Sequence, residues 1–337
     1  MGEVTALSAH GFNIQPYTTG IGSAALSTKV RSSRKYAHSA MKLIRIQHDT
    51  HYEYTEPVEF GPHTLMIRPR SGHDVRIEKA FLHITPHANV RWRRDINGNS
   101  VGTATFSGPA RSLSISSDVL IQHFEAEPLD FLVEDYSVNW PFEFDPMQRV
   151  ELAPYQMPCF PNDGPAISRW LEQFWRPGQT IETYRLLDNM NHSIVDHFRY
   201  RGREEPGVQS PADTLAKGSG SCRDFATFFI EACRYLGLPA RFVSGYLHCP
   251  SSVQGHGSTH AWSEVFLPGA GWKGFDNTSG NIVGQDHIAT AVCRHPEQAP
   301  PISGSLFGSG KGFVSMKVKV EVTEVLPQSR QSQNQGG

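Results

Sequence analysis

The spacing of apolar residues changes character once along this chain, at a proline-rich stretch near its middle. That change limits the possible fold more than any other feature. Before it the pattern is that of strands. Leu43–Tyr54 alternates loosely, and strand-like runs follow at Arg76–Ile84, Ala88–Arg93, Val101–Phe106, Arg111–Glu125 and Phe131–Val138. Turn signals such as Arg70-Ser71-Gly72-His73-Asp74 and Asn97-Gly98-Asn99 separate them. Short strands with regular turns predict an antiparallel sandwich-like or barrel-like domain reaching to about Leu152.

Pro154, Pro158, Pro161 and Pro165 then mark a linker or boundary. Beyond them the period becomes helical. Ala166–Arg176 carries Ile167, Trp170, Leu171 and Phe174, and Ile181–Tyr200 carries Ile181, Tyr184, Leu187, Met190, Ile194 and Phe198. After a loop at Arg203–Gly220, Phe225, Phe228, Phe229, Ala232 and Leu236 form one face of a helix that opens at Cys222 and stops at Gly237. Strands are predicted at Ala240–Leu247, His260–Leu267 and Trp272–Asp276, with a last one in the 310–325 region. The layout is α+β. The predicted divisions are a mobile extension over 1–40, a β domain over 41–153, a helix-and-sheet core over 154–326 and a disordered tail over 327–337.

Composition narrows the function classes. The net charge is -2 over 337 residues, which gives no reason to expect nucleic acid or an acidic membrane as partner. The basic cluster Arg91-Trp92-Arg93-Arg94 reads as a solvated face. No apolar run approaches the roughly 18 residues of a membrane span, and the first 40 residues lack the apolar core of a secretory signal. Five cysteines, at 159, 222, 233, 249 and 293, make an odd count without Cys-x-x-Cys spacing. A reducing, cytoplasmic setting is the expectation. Gly218-Ser219-Gly220-Ser221 lacks the lysine of a phosphate loop, and no cofactor is expected.

Cys222 stands at the first turn of its helix, where unpaired N–H groups and a partial positive charge gather. Cys233, inside the same helix, reads as a core thiol. Downstream, His260 opens a strand, a turn follows at Pro268-Gly269-Ala270-Gly271, and Asp276 ends the next strand. If Trp262 opposes Asp276, His260 is the diagonal neighbour of Asp276 on the same face; a register in which His260 directly opposes Asp276 also keeps both on one face, while a slip of one residue separates them. A thiol nucleophile, an imidazole to move its proton and a carboxylate to orient the ring are the parts of acyl-transfer chemistry. Trp262 and Trp272 read as sheet core rather than cleft lining, and Arg223 and Asp224 read equally as a structural ion pair at the helix start or as catalytic groups. A metal site from His248, Cys249, His256 and His260 is a weaker reading, because Gly255-His256-Gly257-Ser258 is loop-like.

Gly220-Ser221-Cys222-Arg223-Asp224, Gly237-Leu238-Pro239-Ala240-Arg241-Phe242-Val243-Ser244-Gly245-Tyr246, His260-Ala261-Trp262-Ser263-Glu264-Val265, Gly271-Trp272 and Asp276 resemble the transglutaminase-like superfamily. The likeness is to bacterial transglutaminase-like enzymes and cysteine proteases. His51-Tyr52-Glu53-Tyr54, Gly61-Pro62-His63, Leu65 and Arg68-Pro69-Arg70 resemble the β domain that precedes the core in those proteins. The resemblance spans roughly 42–325. It implies a papain-like core in which Cys222 is the nucleophile, His260 the base and Asp276 the orienting acid. The family's Asp-Pro-Thr is Asp276-Asn277-Thr278 here, a change expected to loosen the turn. Cys222 N–H is one expected oxyanion donor, and the second is unassigned. The implied partner is a protein or peptide amide, resolved by an amine in transamidation or by water in deamidation or proteolysis. The alternative is a non-catalytic interaction module that keeps the fold. No metal is expected, and the sequence leaves the oligomeric state open.

Overall fold

A computed structural model describes residues 41–124, 127–203, 205–249, 259–307 and 312–325, all within one compact unit. The expectations for 1–40 and for 327–337 lie outside the described residues. The described residues open on a single long strand, β1 (Lys42–Leu65), of 24 residues. Ile44, Ile46, His48 and Thr50 point inward in strict alternation along its first half. Four strands follow it: β2 (Val75–Thr85), β3 (Ala88–Arg94), β4 (Ser100–Phe106) and β5 (Ala110–His123). They assemble in the order β2-β5-β1-β4-β3. β1 pairs β5 along its first half and β4 along its second, with a register shift between Glu53 and Val58. The shift lets one strand serve two stretches of sheet, and the sheet curls around Tyr54, Phe60, Leu65, Ile67, Leu113 and Ile115. Residues Arg91 to Arg94 are exposed on β3, as a solvated face should be.

The region between sheet and core departs from the sequence reading. Phe131–Val138 is not a strand; it is irregular with a 3-10 turn at Asp135–Ser137. β6 (Asn139–Trp140) is a two-residue strand, and α1 (Pro146–Gln156) is a helix where strand was predicted up to Leu152. Asp145 caps α1 by accepting the Met147 N–H at 2.9 Å, with Pro146 at the first helical position. The proline-rich stretch is no free linker either. Glu231 Oε2 accepts the N–H groups of Cys159 and Phe160, both at 2.9 Å, and Arg294 donates to the carbonyls of Pro154, Met157 and Pro158.

α2 (Gly164–Leu171) ends earlier than its apolar pattern. β7 (Ile181–Glu182) pairs β6, and α3 (Thr183–His197) leads to β8 (Arg199–Tyr200). The predicted loop 203–220 contains a short helix, α4 (Pro211–Lys217), and then β9 (Ser219–Gly220), which runs parallel to β8. α5 (Cys222–Tyr235) begins at Cys222 as predicted, and Gly237, at φ +83°, takes the left-handed turn that ends it. β10 (Ala240–Leu247), β11 (His260–Leu267), β12 (Gly271–Phe275) and β13 (His287–Cys293) form an antiparallel sheet in the order β12-β11-β10-β13. Phe225, Phe228 and Phe229 of α5 are buried in one cluster with Phe242, Ala261 and Val265. Burial of each ring contributes roughly 1.5–3 kcal/mol, which seats the helix firmly on the sheet.

Two last strands, β14 (Ile302–Phe307) and β15 (Phe313–Glu324), return to pair with β1. A core running to residue 326 is therefore corrected: residues 302–307 and 313–324 complete the N-terminal sheet. That sheet has seven strands, two of them from beyond the core. No described helix is long and apolar enough to cross a membrane.

Candidate active site

The start of α5 is fixed by Asp224. Its Oδ2 accepts both the Ser221 N–H and the Ser221 hydroxyl at 2.8 Å, a reciprocal tie of the first turn. Its Oδ1 accepts the Gln209 N–H and the Arg203 guanidinium, each at 2.7 Å. Burial opposes its charge, but these bonds outweigh it and hold the Asp224 carboxyl below its ordinary range. Arg223 donates to the carbonyls of Arg203 and Glu205. The predicted pair Arg223 and Asp224 thus serves structure, each binding the preceding loop rather than the other. Cys222 is consequently held at a rigid helix start.

Cys222 is nearly buried and lines a cleft of about 790 Å³. Tyr200, Arg203, Ser244, His260, Glu297 and Pro300 are among the residues around it. β11 pairs β12 with Ser263 opposite Phe275 and Glu264 opposite Gly274. Extended by one residue, this is the register in which Trp262 opposes Asp276. His260 Nε2 accordingly lies 3.1 Å from Asp276 Oδ2. The His260 N–H is not aimed squarely at that oxygen, so the contact is an ion-pair approach rather than an aligned hydrogen bond. Burial works against a charged ring, yet the polar contacts with Asp276 and Cys222 outweigh it and raise the His260 pKa to about 10. Burial would likewise raise Asp276, but His260 and His287 hold it well below the usual carboxylate range. Cys222, His260 and Asp276, far apart in the sequence, are brought together.

The turn after Asp276 is not loosened by the missing proline. Asp276 Oδ1 accepts the N–H groups of Thr278 and Ser279, and its carbonyl accepts that of Gly280. Asn277 is buried and donates to Asn191 Oδ1 of α3 at 2.8 Å. A hydrogen bond between side-chain amides thus replaces the rigidity of proline.

Two residues near the site escaped the sequence reading. His287 Nε2 lies 3.1 Å from the same Asp276 Oδ2. Tyr200 enters the cleft because β8 and β9 pair with Tyr200 opposite Gly220, two residues before Cys222. Burial, then the proximity of Cys222, raises the Tyr200 phenol to about 12, so it remains a neutral hydroxyl. For Tyr200 the usable signal was its alternation with Phe198 just before the Cys222 loop; for His287 there was none. Trp262 is buried core against Val243 and Val292, as expected. Trp272 lies under Arg241, whose guanidinium carbon is 4.1 Å from the ring centre.

His260, Asp276 and His287 each bring one ligand atom within 4.8 Å of the others, a grouping with the donor types of a metal site. Both His260 Nε2 and His287 Nε2 face Asp276 Oδ2, each at 3.1 Å. The weaker predicted set does not assemble among the described residues: His248 Nδ1 pairs with Asp286 at 3.0 Å, and His256 lies outside the described residues.

The sequence profile of the transglutaminase-like superfamily matches residues 178–277, and that of the bacterial transglutaminase-like N-terminal region matches residues 44–122. An uncharacterized protein of Mycobacterium leprae is 34% identical over 290 residues, covering 84% of this chain and 99% of that one. The chain belongs to the transglutaminase-like superfamily. Another uncharacterized protein, from Mycobacterium tuberculosis, is 25% identical over 305 residues, 82% of this chain and 91% of its own. A crystal structure described as a "putative cysteine protease" from Cytophaga hutchinsonii has a TM-score of 0.66 at 18% identity. It covers 86% of this chain and 93% of its own. At that identity the likeness is one of fold: a transglutaminase-like core preceded by a curled antiparallel sheet is common to both. The α+β reading holds in this form.

Proposed function

We propose that this chain is a thiol acyl-transfer enzyme acting on protein or peptide amides. The observation that carries the reading is the approach of His260 Nε2 to Asp276 Oδ2 at 3.1 Å, beside a cysteine at a helix start that opens on a cleft. With Nε2 facing the carboxylate, Nδ1 of His260 serves the thiol. Raised to about 10, His260 holds the Cys222 proton as the imidazolium, and the sulfur attacks the amide carbonyl carbon. The oxygen gathers negative charge, and the Cys222 N–H at the helix start is one donor toward it. As the C–N bond breaks, His260 returns the proton to the leaving nitrogen, and a thioester remains on Cys222. An amine or a water then attacks the thioester, again giving its proton to His260, and the thiol is restored. Asp276, held ionised, stabilises the imidazolium in both halves.

Transamidation, deamidation and proteolysis share these steps and differ in which amide enters and which nucleophile leaves with the acyl group. Incubating the protein with glutamine-bearing and amine-bearing peptides and reading products by mass spectrometry separates them. Crosslinked peptide, deamidated peptide or cleaved fragments, lost in Cys222→Ala, are the expected result. No product and no acylation of Cys222 with any peptide would overturn the reading in favour of a binding module.

A further inference from the structure

β10 and β13 do not pair in one continuous register. Ser244 opposes Ala291, but Gly245 opposes Ala289. Thr290 is passed over, and every β13 side chain before it moves to the other face of the sheet. His287 is thereby turned to the face that carries His260. Gly245 makes this possible by close approach: a Cβ there would fall 2.3 Å from the Ile288 carbonyl oxygen and 2.6 Å from the Trp262 ring.

The bulge delivers His287 to a defined partner. Gly284 N–H points to His287 Nδ1 at 3.5 Å, which makes Nδ1 the acceptor and leaves the ring proton on Nε2. That Nε2 is the nitrogen 3.1 Å from Asp276 Oδ2. Trp262 meets the His287 ring edge-on at 5.3 Å and limits its rotation. Asp276 Oδ1 is held by backbone N–H groups of its own turn, whereas Oδ2 faces the two imidazoles of His260 and His287.

The N-terminal sheet in turn holds β13. His123, at the end of β5, donates to the His287 carbonyl at 3.2 Å. Ala289 O accepts the Arg70 N–H at 2.8 Å. Asn99, buried in the turn before β4, brackets Val292: its Nδ2 donates to the carbonyl at 2.7 Å and its Oδ1 accepts the N–H at 2.9 Å.

We propose that His287 is a positioning residue that donates to Asp276 Oδ2 and aims the carboxylate at His260, and that the N-terminal sheet keeps β13 in the bulged register that places it. This rests on the thiol chemistry proposed above. The test is the rate at which iodoacetamide alkylates Cys222 in the full chain at neutral pH, read by mass spectrometry. His287→Phe keeps a flat ring against Trp262 but removes the donor, and the rate is expected to fall about tenfold, the scale of one hydrogen bond to a charged group. His287→Gln restores an N–H of similar reach and should recover most of the rate. A purely structural role would not show that rescue. Asn99→Ala should lower the rate in the same direction, and it keeps the idea testable if His287→Phe does not fold. Wild-type rates in both His287→Phe and Asn99→Ala, or equal losses in His287→Phe and His287→Gln, would overturn it. His260→Ala separates the two levels. If it slows alkylation while His287→Phe does not, the positioning role fails and the thiol reading stands. If it has no effect, both fail.

Discussion

Helix α5 has a cysteine, an acid and an arginine partner near each end. At its first turn stand Cys222 and Asp224, with Arg203 brought in from the preceding loop. Near its last turn stand Glu231, Cys233 and Arg234. The last-turn groups are saturated. Arg234 Nη1 donates to Glu231 Oε1 at 2.7 Å and to Cys159 Sγ at 3.0 Å, and its remaining donors reach the carbonyls of Tyr155, Ala240 and Arg294. Cys233 is fully buried, and burial pushes its thiol well up. At the first turn Asp224 is equally satisfied, but Cys222 and His260 face a cleft. One helix thus uses buried charge to lock its far end and uses the same device at its near end to hold Cys222 still beside the cleft. Buried polarity is structural where every donor is answered; it becomes chemical where one group keeps its capacity and has access to solvent.

The largest effect that could break this contrast is loss of Cys222. Cys222→Ala should lower peptide turnover by about 10⁴-fold or more, the scale seen when a member of such a unit is removed, with little change in thermal stability. A comparable loss of stability instead would make the first turn structural too. Next is the far end. Glu231→Ala strands the buried Arg234 and should cost about 3–5 kcal/mol, read by denaturant unfolding, while any turnover of the folded fraction survives. Asp224→Asn keeps the shape of the cap but gives up charge toward Arg203; a loss of about 1–2 kcal/mol is expected, together with slower alkylation of Cys222.

A pH titration sharpens the same comparison. His260 is raised from 6.5 to about 10 on folding, so the folded state binds the extra proton between those values. Its stabilisation is complete below about pH 6.5 and is lost as pH rises through about 10. Asp276 contributes in the opposite sense, fully above its unfolded value near 3.8 and lost only as pH falls well below that. Thermal midpoints should therefore fall from pH 6.5 to 10 in the natural chain and fall less steeply in His260→Asn. An unchanged slope would show that the buried pair is not coupled to folding. The smallest effect is a ranking. Iodoacetamide should label Cys222 ahead of Cys159, Cys249 and Cys293, with Cys233 slowest.

The elements around the site were legible because their signals are local. The apolar face of α5, its start at Cys222 and its stop at Gly237 are contained in sixteen consecutive residues. The bounds of β10 and β11 came out as read, and the tight turn between β11 and β12 allowed the pairing of Trp262 with Asp276 to be named as one of few registers. Weaker local signals misled. The Asp145-Pro146 start of α1 was submerged in a region read as strand, and Pro211 with Ser210 before it marked a helix inside a supposed loop.

By itself, then, the sequence determined which residues form the Cys222 helix and the hairpin beside it, since helical and strand periods, caps and turns act over a few residues. Only the tertiary structure decided that β14 and β15 close the N-terminal sheet on β1, because pairing between the two ends of a chain leaves no local pattern. Only it decided that His287 joins Asp276. A bulge of one residue reverses the face of a strand, and that bulge depends on Gly245 meeting Ile288 across the sheet, a contact no stretch of sequence contains.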